Sequence, residues 1–545
     1  MNKQRQDGCR VFRLSSLAVL LIALVVIDRA GAQTAANELF TKCVGCHAPK
    51  GGALDVVTAQ RKTPEGWEMT LIRMVRTHGA QLQPAEVGAL VKYLSDAYGL
   101  APSEVEPFRY MLEKRNTKVV QHEVPQFVQA SCMQCHSYER TILQRRTLES
   151  WSHIPDMKLA LFTNTENVTA SSGLLQDFWY DEVKKKVLPH LAKQFPFSTA
   201  AWTKWQAKAK TDYAGNWKIV GHDAGKGGDY TGQVTLKALG EDKYGGEFVL
   251  DFSDGSKVSG KTTGLIYTGF QWRGSVQLEG GKIQREIFFA SEDGATLQGR
   301  RVLAPVGDLG MDETWYRSGG SARLFSVIPT TLQAGEKQTV KIFGANLPAN
   351  LTTAAVSFGN GVTITSLNQT GDDTIVAEVV AAKGAAVGLR QLRFQGVTGT
   401  LPFYVYRNID YIRLLPETAF ARPGGDHIPK YMQQFEAFAY LKGPDGEKGT
   451  KDDVKLHRVR PEKWNLEEYV KRLNDDDMHF VGAVDENGLF TPAQAGPNPQ
   501  RHMMDHNIGD VWVEAWYKPR GAKQPMGARA YLLVMPEKFS FQPIE

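Results

Sequence analysis

The sequence predicts a multidomain chain, an N-terminal all-α domain followed by three all-β domains, namely a β-barrel and immunoglobulin-like sandwiches. Three observations carry that prediction. Helical periodicity is confined to the first part of the chain, with Val87, Leu90, Val91 and Leu94 spaced along one helix face. From Tyr213 onward, alternating apolar runs bounded by Gly, Asp-Gly and Asn-Gly replace it. The length of 545 residues also suits three to four domains at roughly 150 residues each.

Composition narrows the class further. A hydrophobic share of 42%, a charged share of 23% and a mean hydropathy of -0.32 describe globular protein and exclude a disordered, collagenous or disulfide-dense chain. The longest apolar run, Leu17 to Ile27, has eleven residues, short of the roughly 20 that span a bilayer. It follows Lys3, Arg5, Arg10 and Arg13 and precedes Ala30-Gly31-Ala32, so residues 1–32 read as a cleaved export signal with Gln33 as the mature start. That segment holds five basic and two acidic residues, and without it 59 basic face 57 acidic side chains, a net of +2. Because basic residues alternate with acidic ones throughout, nucleic-acid binding is excluded.

Cys9 leaves with the signal, and the four remaining cysteines fall as Cys43-Val44-Gly45-Cys46-His47 and Cys132-Met133-Gln134-Cys135-His136. Both are C-x-x-C-H. Thiols three positions apart lie on one helical turn, where they can add to the two vinyl groups of one haem, and the following imidazole then faces the iron. Two such motifs using every mature cysteine predict two covalently bound c-type haems; a pair of disulfides is the alternative. The flanks repeat as well: Arg61-Lys62-Thr63-Pro64-Glu65-Gly66-Trp67 and Arg145-Arg146-Thr147-Leu148-Glu149-Ser150-Trp151 share the spacing R-x-T-x-E-x-W. The first domain, residues 33–200, is therefore predicted to be a duplicated, all-α di-haem cytochrome c domain.

An electron-transfer haem takes a second axial ligand, usually Met or His. For the first iron the candidates are Met69, Met74 and His78. Met74 is preferred, seven residues past Trp67 on a helix that ends at Gly79, with His78 second. In the second module Lys158 stands seven residues past Trp151. Met157 is preferred there, with His153 and Lys158 as alternatives. The expected iron ligands are thus His47, Met74, His136 and Met157, and no catalytic base is expected.

Residues 201–321 read as an antiparallel β-barrel, with a hairpin signal at Asp254-Gly255. Residues 322–406 read as an immunoglobulin-like sandwich, from alternation in Gln338 to Phe343 and in Arg390 to Phe394. Residues 407–545 read as a further β-sandwich containing a helical piece near Trp464 to Leu473. Gly225-Lys226-Gly227-Gly228 is read as a turn. The acidic stretch from Asp445 to Asp453 lacks the Glu that closes an EF-hand and is read as a solvated loop, with a calcium site as its alternative. His502 and His506 lack the Glu and third ligand of a zinc hydrolase.

The order of parts, together with Gly99 to Glu104 and Arg109 to Glu113 between the haem motifs and Leu143-Gln144-Arg145-Arg146 at the second site, resembles the quinohemoprotein amine dehydrogenase alpha-subunit family. The resemblance covers nearly the whole mature chain. It implies a periplasmic heterotrimer in which a gamma subunit carries cysteine tryptophylquinone and a beta subunit is a propeller. The alpha subunit would relay electrons from the quinone through two haems to a soluble copper protein or cytochrome c. The family has Phe-His-Leu where this chain has Met157-Lys158-Leu159, so the resemblance does not supply the second sixth ligand. Two rival functions use the same motifs: a di-haem peroxidase, which needs one displaceable ligand, and a stand-alone di-haem carrier for another dehydrogenase.

Overall fold

A computed structural model describes residues 40–50, 53–114, 123–133, 136–171, 177–225, 227–279, 281, 283–303, 309–425, 429–471, 475–501 and 506–537. The signal segment, Cys135 and His502 lie outside these residues. Among the described residues no helix is long and apolar enough to cross a membrane.

The first domain corrects the all-α expectation. It contains a short hairpin of β1 (Pro49–Lys50) and β2 (Ala53–Leu54), and a ribbon of β3 (Gln60–Lys62) and β4 (Gln144–Arg146). The ribbon is built from the duplicated motif. Its antiparallel register sets Arg61 opposite Arg145, Gln60 opposite Arg146 and Lys62 opposite Gln144, an arrangement with local twofold symmetry. Each strand hands over to a helix. Thr63 caps α1 (Pro64–His78) by accepting from the Gly66 amide, and Thr147 caps α3 (Leu148–Leu161) by accepting from the Ser150 amide. Between them α2 (Pro84–Ala97) packs on α1, burying Leu90, Val91 and Leu94 against Trp67 and Leu71. The second module has its own core of Val128, Ile142, Trp151, Val183 and Leu191.

The next region closes into a barrel of eight antiparallel strands: β5 (Gly215–Asp223), β6 (Gly228–Gly240), β7 (Lys243–Phe252), β8 (Lys257–Tyr267), β9 (Gln271–Leu278), β10 (Ile283–Ala290), β11 (Thr296–Leu303) and β12 (Gly310–Arg317). Neighbours in sequence pair, and β12 closes on β5. Eight strands leave an interior that side chains can fill, and here Trp217, Trp272, Trp315, Phe248 and Phe288 fill it. A charged cluster sits among them: Arg301 is ion-paired with Glu286 at 3.0 Å and with Glu313 at 3.2 Å, all three without solvent exposure. Trp272 Nε1 donates to Glu286, while Tyr230 and Trp315 donate to Glu313.

The haem-motif domain docks on this barrel. Leu100, Val105, Leu112 and Leu143 join the barrel core, Glu65 pairs with Arg273, and Lys92 reaches Asp242 at 2.7 Å. Two four-stranded sheets follow, one running through Arg323–Ile328, Lys337–Ala345, Thr374–Ala381 and Val362–Thr370, and they enclose Val340, Ile342, Ile375, Val379 and Phe403. In the last region the expected helix near Trp464 is instead a strand, Lys463–Glu468, paired with Gly509–Tyr517. Leu466 packs inward there, and the tertiary partner overrides a weak helical pattern. The loop from Asp445 to Asp453 uses its own carboxylates: Asp453 accepts from the amides of Gly443, Gly449 and Thr450.

Candidate haem-binding site

The first C-x-x-C-H lies on a helical turn. The His47 amide donates to the Cys43 carbonyl at 2.8 Å and the Cys46 amide to the same oxygen at 3.1 Å, bringing both thiols and the imidazole onto one turn. The turn is tied to α2 by Lys42–Glu86 at 2.6 Å and by an edge-on contact of Phe40 with Tyr93. Cys43 and Cys46 are free thiols, Cys46 exposed and Cys43 half-buried. Burial, then the neighbouring Cys46, pushes the Cys43 thiol above its ordinary value.

The second motif starts where the helix Gln126–Cys132 ends. Trp179 Nε1 donates to the Ser131 carbonyl at 2.7 Å and fixes this helix end. His136 Nδ1 donates to the Ser137 carbonyl at 2.8 Å, leaving Nε2 with its lone pair, the tautomer that binds a metal. Burial, aided by the charges of Lys158 and Arg140, brings its imidazole down to about 3, so it is neutral at ordinary pH. The paired thiols of the first motif and the neutral His136 imidazole of the second are donors of the kind a c-type haem takes, and the described residues fit that group.

Met74 lies on α1 on the face of Trp67 and Leu71, half-buried, with His78 one turn on and exposed. Gly79, at φ 72°, ends the helix; its amide and that of Ala80 both donate to the Met74 carbonyl, holding this turn in place. Met69 instead packs toward the barrel core. On α3, Lys158 occupies the register of Met74 relative to the motif tryptophan, and its ammonium lies 5.3 Å from the Phe162 ring centre. Met157 is its half-buried neighbour, and His153 is exposed.

Between the two modules stands Glu104, for which the motifs themselves gave no signal. Arg61 grips it with two hydrogen bonds of 2.8 Å, Arg145 Nε approaches at 3.5 Å, and the Ala101 amide and Thr199 hydroxyl donate at 2.8 and 3.0 Å. These partners overcome its burial and hold its carboxyl below the ordinary range. One cation–aromatic contact recurs in both modules: Lys62 lies over Trp67 at 5.1 Å and Arg146 over Trp151 at 5.5 Å.

Models of four families match in succession. Quinohemoprotein amine dehydrogenase A, alpha subunit, haem binding, matches residues 33–202; alpha subunit domains II, III and IV match 210–317, 321–406 and 412–544. No curated protein matches the chain. Among solved structures, a de novo designed fluorescence-activating β-barrel aligns with 19% of this chain and 94% of its own at 17% identity and a TM-score of 0.17. The Escherichia coli adhesin FdeC aligns with 60% and 100% at 12% identity and a TM-score of 0.15. Neither bears on the assignment.

Proposed function

Since the chain belongs to the quinohemoprotein amine dehydrogenase alpha-subunit family, a haem-binding part of an amine-oxidising complex, we propose that it is the electron relay of that complex. The observation that carries this reading is the joining of two C-x-x-C-H modules through the β3–β4 ribbon, which makes them one rigid unit on the barrel.

In this reading Cys43 and Cys46 hold one haem c, and Cys132 and Cys135 the other. His47 and His136 face the irons, the latter oriented by the Ser137 carbonyl. Met74 would supply the sulfur ligand to the first iron. Met157 is the sulfur ligand we assign to the second, beside Lys158 in the register position. Haem, when bound, accepts and releases one electron at a time, whereas amine oxidation yields two. The chain's own residues supply position: Glu104 and the ribbon fix one module against the other, and Glu65–Arg273 fixes the pair on the barrel. Cysteine tryptophylquinone in a gamma subunit, beside a propeller beta subunit, would supply the electrons, and a soluble copper protein or cytochrome c would receive them. The complex works in the periplasm after removal of residues 1–32.

Mass spectrometry of the purified, exported chain and of what co-purifies with it tests the reading. We expect a haem mass on each cysteine pair and a small partner with cross-linked Cys and Trp side chains. A colourless chain, or a dehydrogenase partner of another kind, overturns it.

A further inference from the structure

The two faces of the β3–β4 ribbon carry charge in opposite ways. Arg61 and Arg145 share one face, where Glu104 neutralises them. Strand alternation sends Lys62 and Arg146 to the other face with Gln60 and Gln144, and there Arg73 of α1 joins them. Lys62 and Arg146 are only 4% and 5% exposed. Their hydrogen-bond partners are all neutral: Lys62 Nζ donates to Thr70 Oγ1 at 2.6 Å, and Arg146 donates to Gln144 Oε1 at 2.8 Å and Ser150 Oγ at 3.0 Å. The Arg73 Nε is buried with no acceptor. Among the described residues no carboxylate forms an ion pair with any of the three; Glu65 is held by Arg273, and Glu104 by Arg61 and Arg145.

Burial is the main cause of a lowered pKa at Lys62 and Arg146. Arg146 and Arg73 lower Lys62 further, Arg73 lowers Arg146 further, and Arg146 comes down to about 9. A second polar group on this side is also unpartnered. Trp67 Nε1 donates to the Tyr98 carbonyl at 3.1 Å, but its counterpart Trp151, 2% exposed, leaves its Nε1 buried with no acceptor.

Burying like charges without a counter-ion is costly, and an anion in contact with them relieves that cost. The anion belongs to something bound between the modules, next to Met74 in sequence and to both motif tryptophans in space. We propose that this face binds haem propionate carboxylates, with Lys62, Arg73 and Arg146 as counter-charges and Trp151 Nε1 as a neutral donor. The proposal rests on the reading that the chain carries haem. It adds a means of raising reduction potential, because cations held against the propionates favour the iron form with less positive charge.

The test uses the haem-loaded chain in its complex, with Arg146→Gln, Arg146→Lys and Arg73→Gln. Haem content is measured first, then each haem's midpoint potential by spectroelectrochemical titration. We expect both glutamine variants to keep two haems and to shift a midpoint potential downward, and Arg146→Lys to restore most of the shift. Arg73, half-buried on a helix, supplies the variant should Arg146→Gln fail to accumulate. Unchanged potentials in the glutamine variants, with stability alone reduced, would assign the cluster a structural role and overturn the proposal. A parent chain without haem overturns the underlying reading instead, and is recognised before any potential is measured.

Discussion

Glu104→Gln removes one negative charge and leaves two buried arginines facing each other across the ribbon. The side chains of Arg61 and Arg145 are 2% and 5% exposed and that of Glu104 is 7% exposed, so water does not replace the lost partner. Glutamine keeps one carbonyl oxygen to accept from an arginine, but its amide nitrogen then points a donor at a second donor. Breaking a buried pair by removing one partner costs about 3–5 kcal/mol. For a region of this size about 1 kcal/mol corresponds to roughly 2–4 °C, so the melting temperature of the haem-motif domain should fall by roughly 6–20 °C. Differential scanning calorimetry of the haem-loaded chain measures it, with haem absorbance reporting which transition belongs to this domain. The sign with pH is fixed too. Because the carboxyl is held below its usual value in the folded chain, its stabilisation is present above about pH 4.5 and is lost as pH falls toward the folded value. Glu104→Gln should therefore lie well below the parent at pH 7 and approach it in acid. A fall of less than about 2 °C at pH 7, below what 1 kcal/mol would give, refutes the claim that Glu104 joins the two modules.

Three further outcomes follow from the same structure. His222 sits between Asp229 at 2.8 Å and Glu436 at 2.9 Å, and these carboxylates outweigh its burial and raise its imidazole to about 9. Its contribution, up to about 3 kcal/mol, is complete below the unfolded value of about 6.5 and is lost as pH rises through about 9. Denaturant unfolding followed from pH 6 to 10 should show that decline in the parent and a flatter profile in His222→Gln; equal slopes count against it. Inside the barrel, Arg301→Met strands Glu286 and Glu313 without a counter-charge and should cost the barrel about 3–5 kcal/mol, read by tryptophan fluorescence unfolding; a variant as stable as the parent would show that the cluster tolerates a neutral centre. Finally, Met74→Ala and Met157→Ala should each weaken the red absorption band of Met-ligated ferric haem, and a band that survives in the double variant rules out both sulfur ligands.

Much of the candidate site was legible because the covalent attachment proposed for it demands local spacing. Two thiols and an imidazole on one helical turn must be close in sequence, so both C-x-x-C-H motifs announced themselves, as did the repeat of R-x-T-x-E-x-W around them. The end of the first helix was readable for the same reason, from Gly79. The strands hidden in the first domain were not. Gln60-Arg61-Lys62 and Gln144-Arg145-Arg146 are polar and three residues long, with no apolar alternation to mark them, and the partner of each lies far along the chain. The strand at Trp464 was misread as helical because its partner, Gly509–Tyr517, likewise comes from a distant segment.

The sequence by itself determined the two C-x-x-C-H motifs, their duplication and the shift from helical to alternating pattern, since each is a property of neighbours along the chain. Only the tertiary structure decided that the duplicated motifs pair back to back, that Glu104 neutralises one face of the ribbon and that Lys62, Arg73 and Arg146 crowd the other without a carboxylate. Charge compensation depends on distance through a low-dielectric interior, and that distance is set by folding rather than by position in the chain.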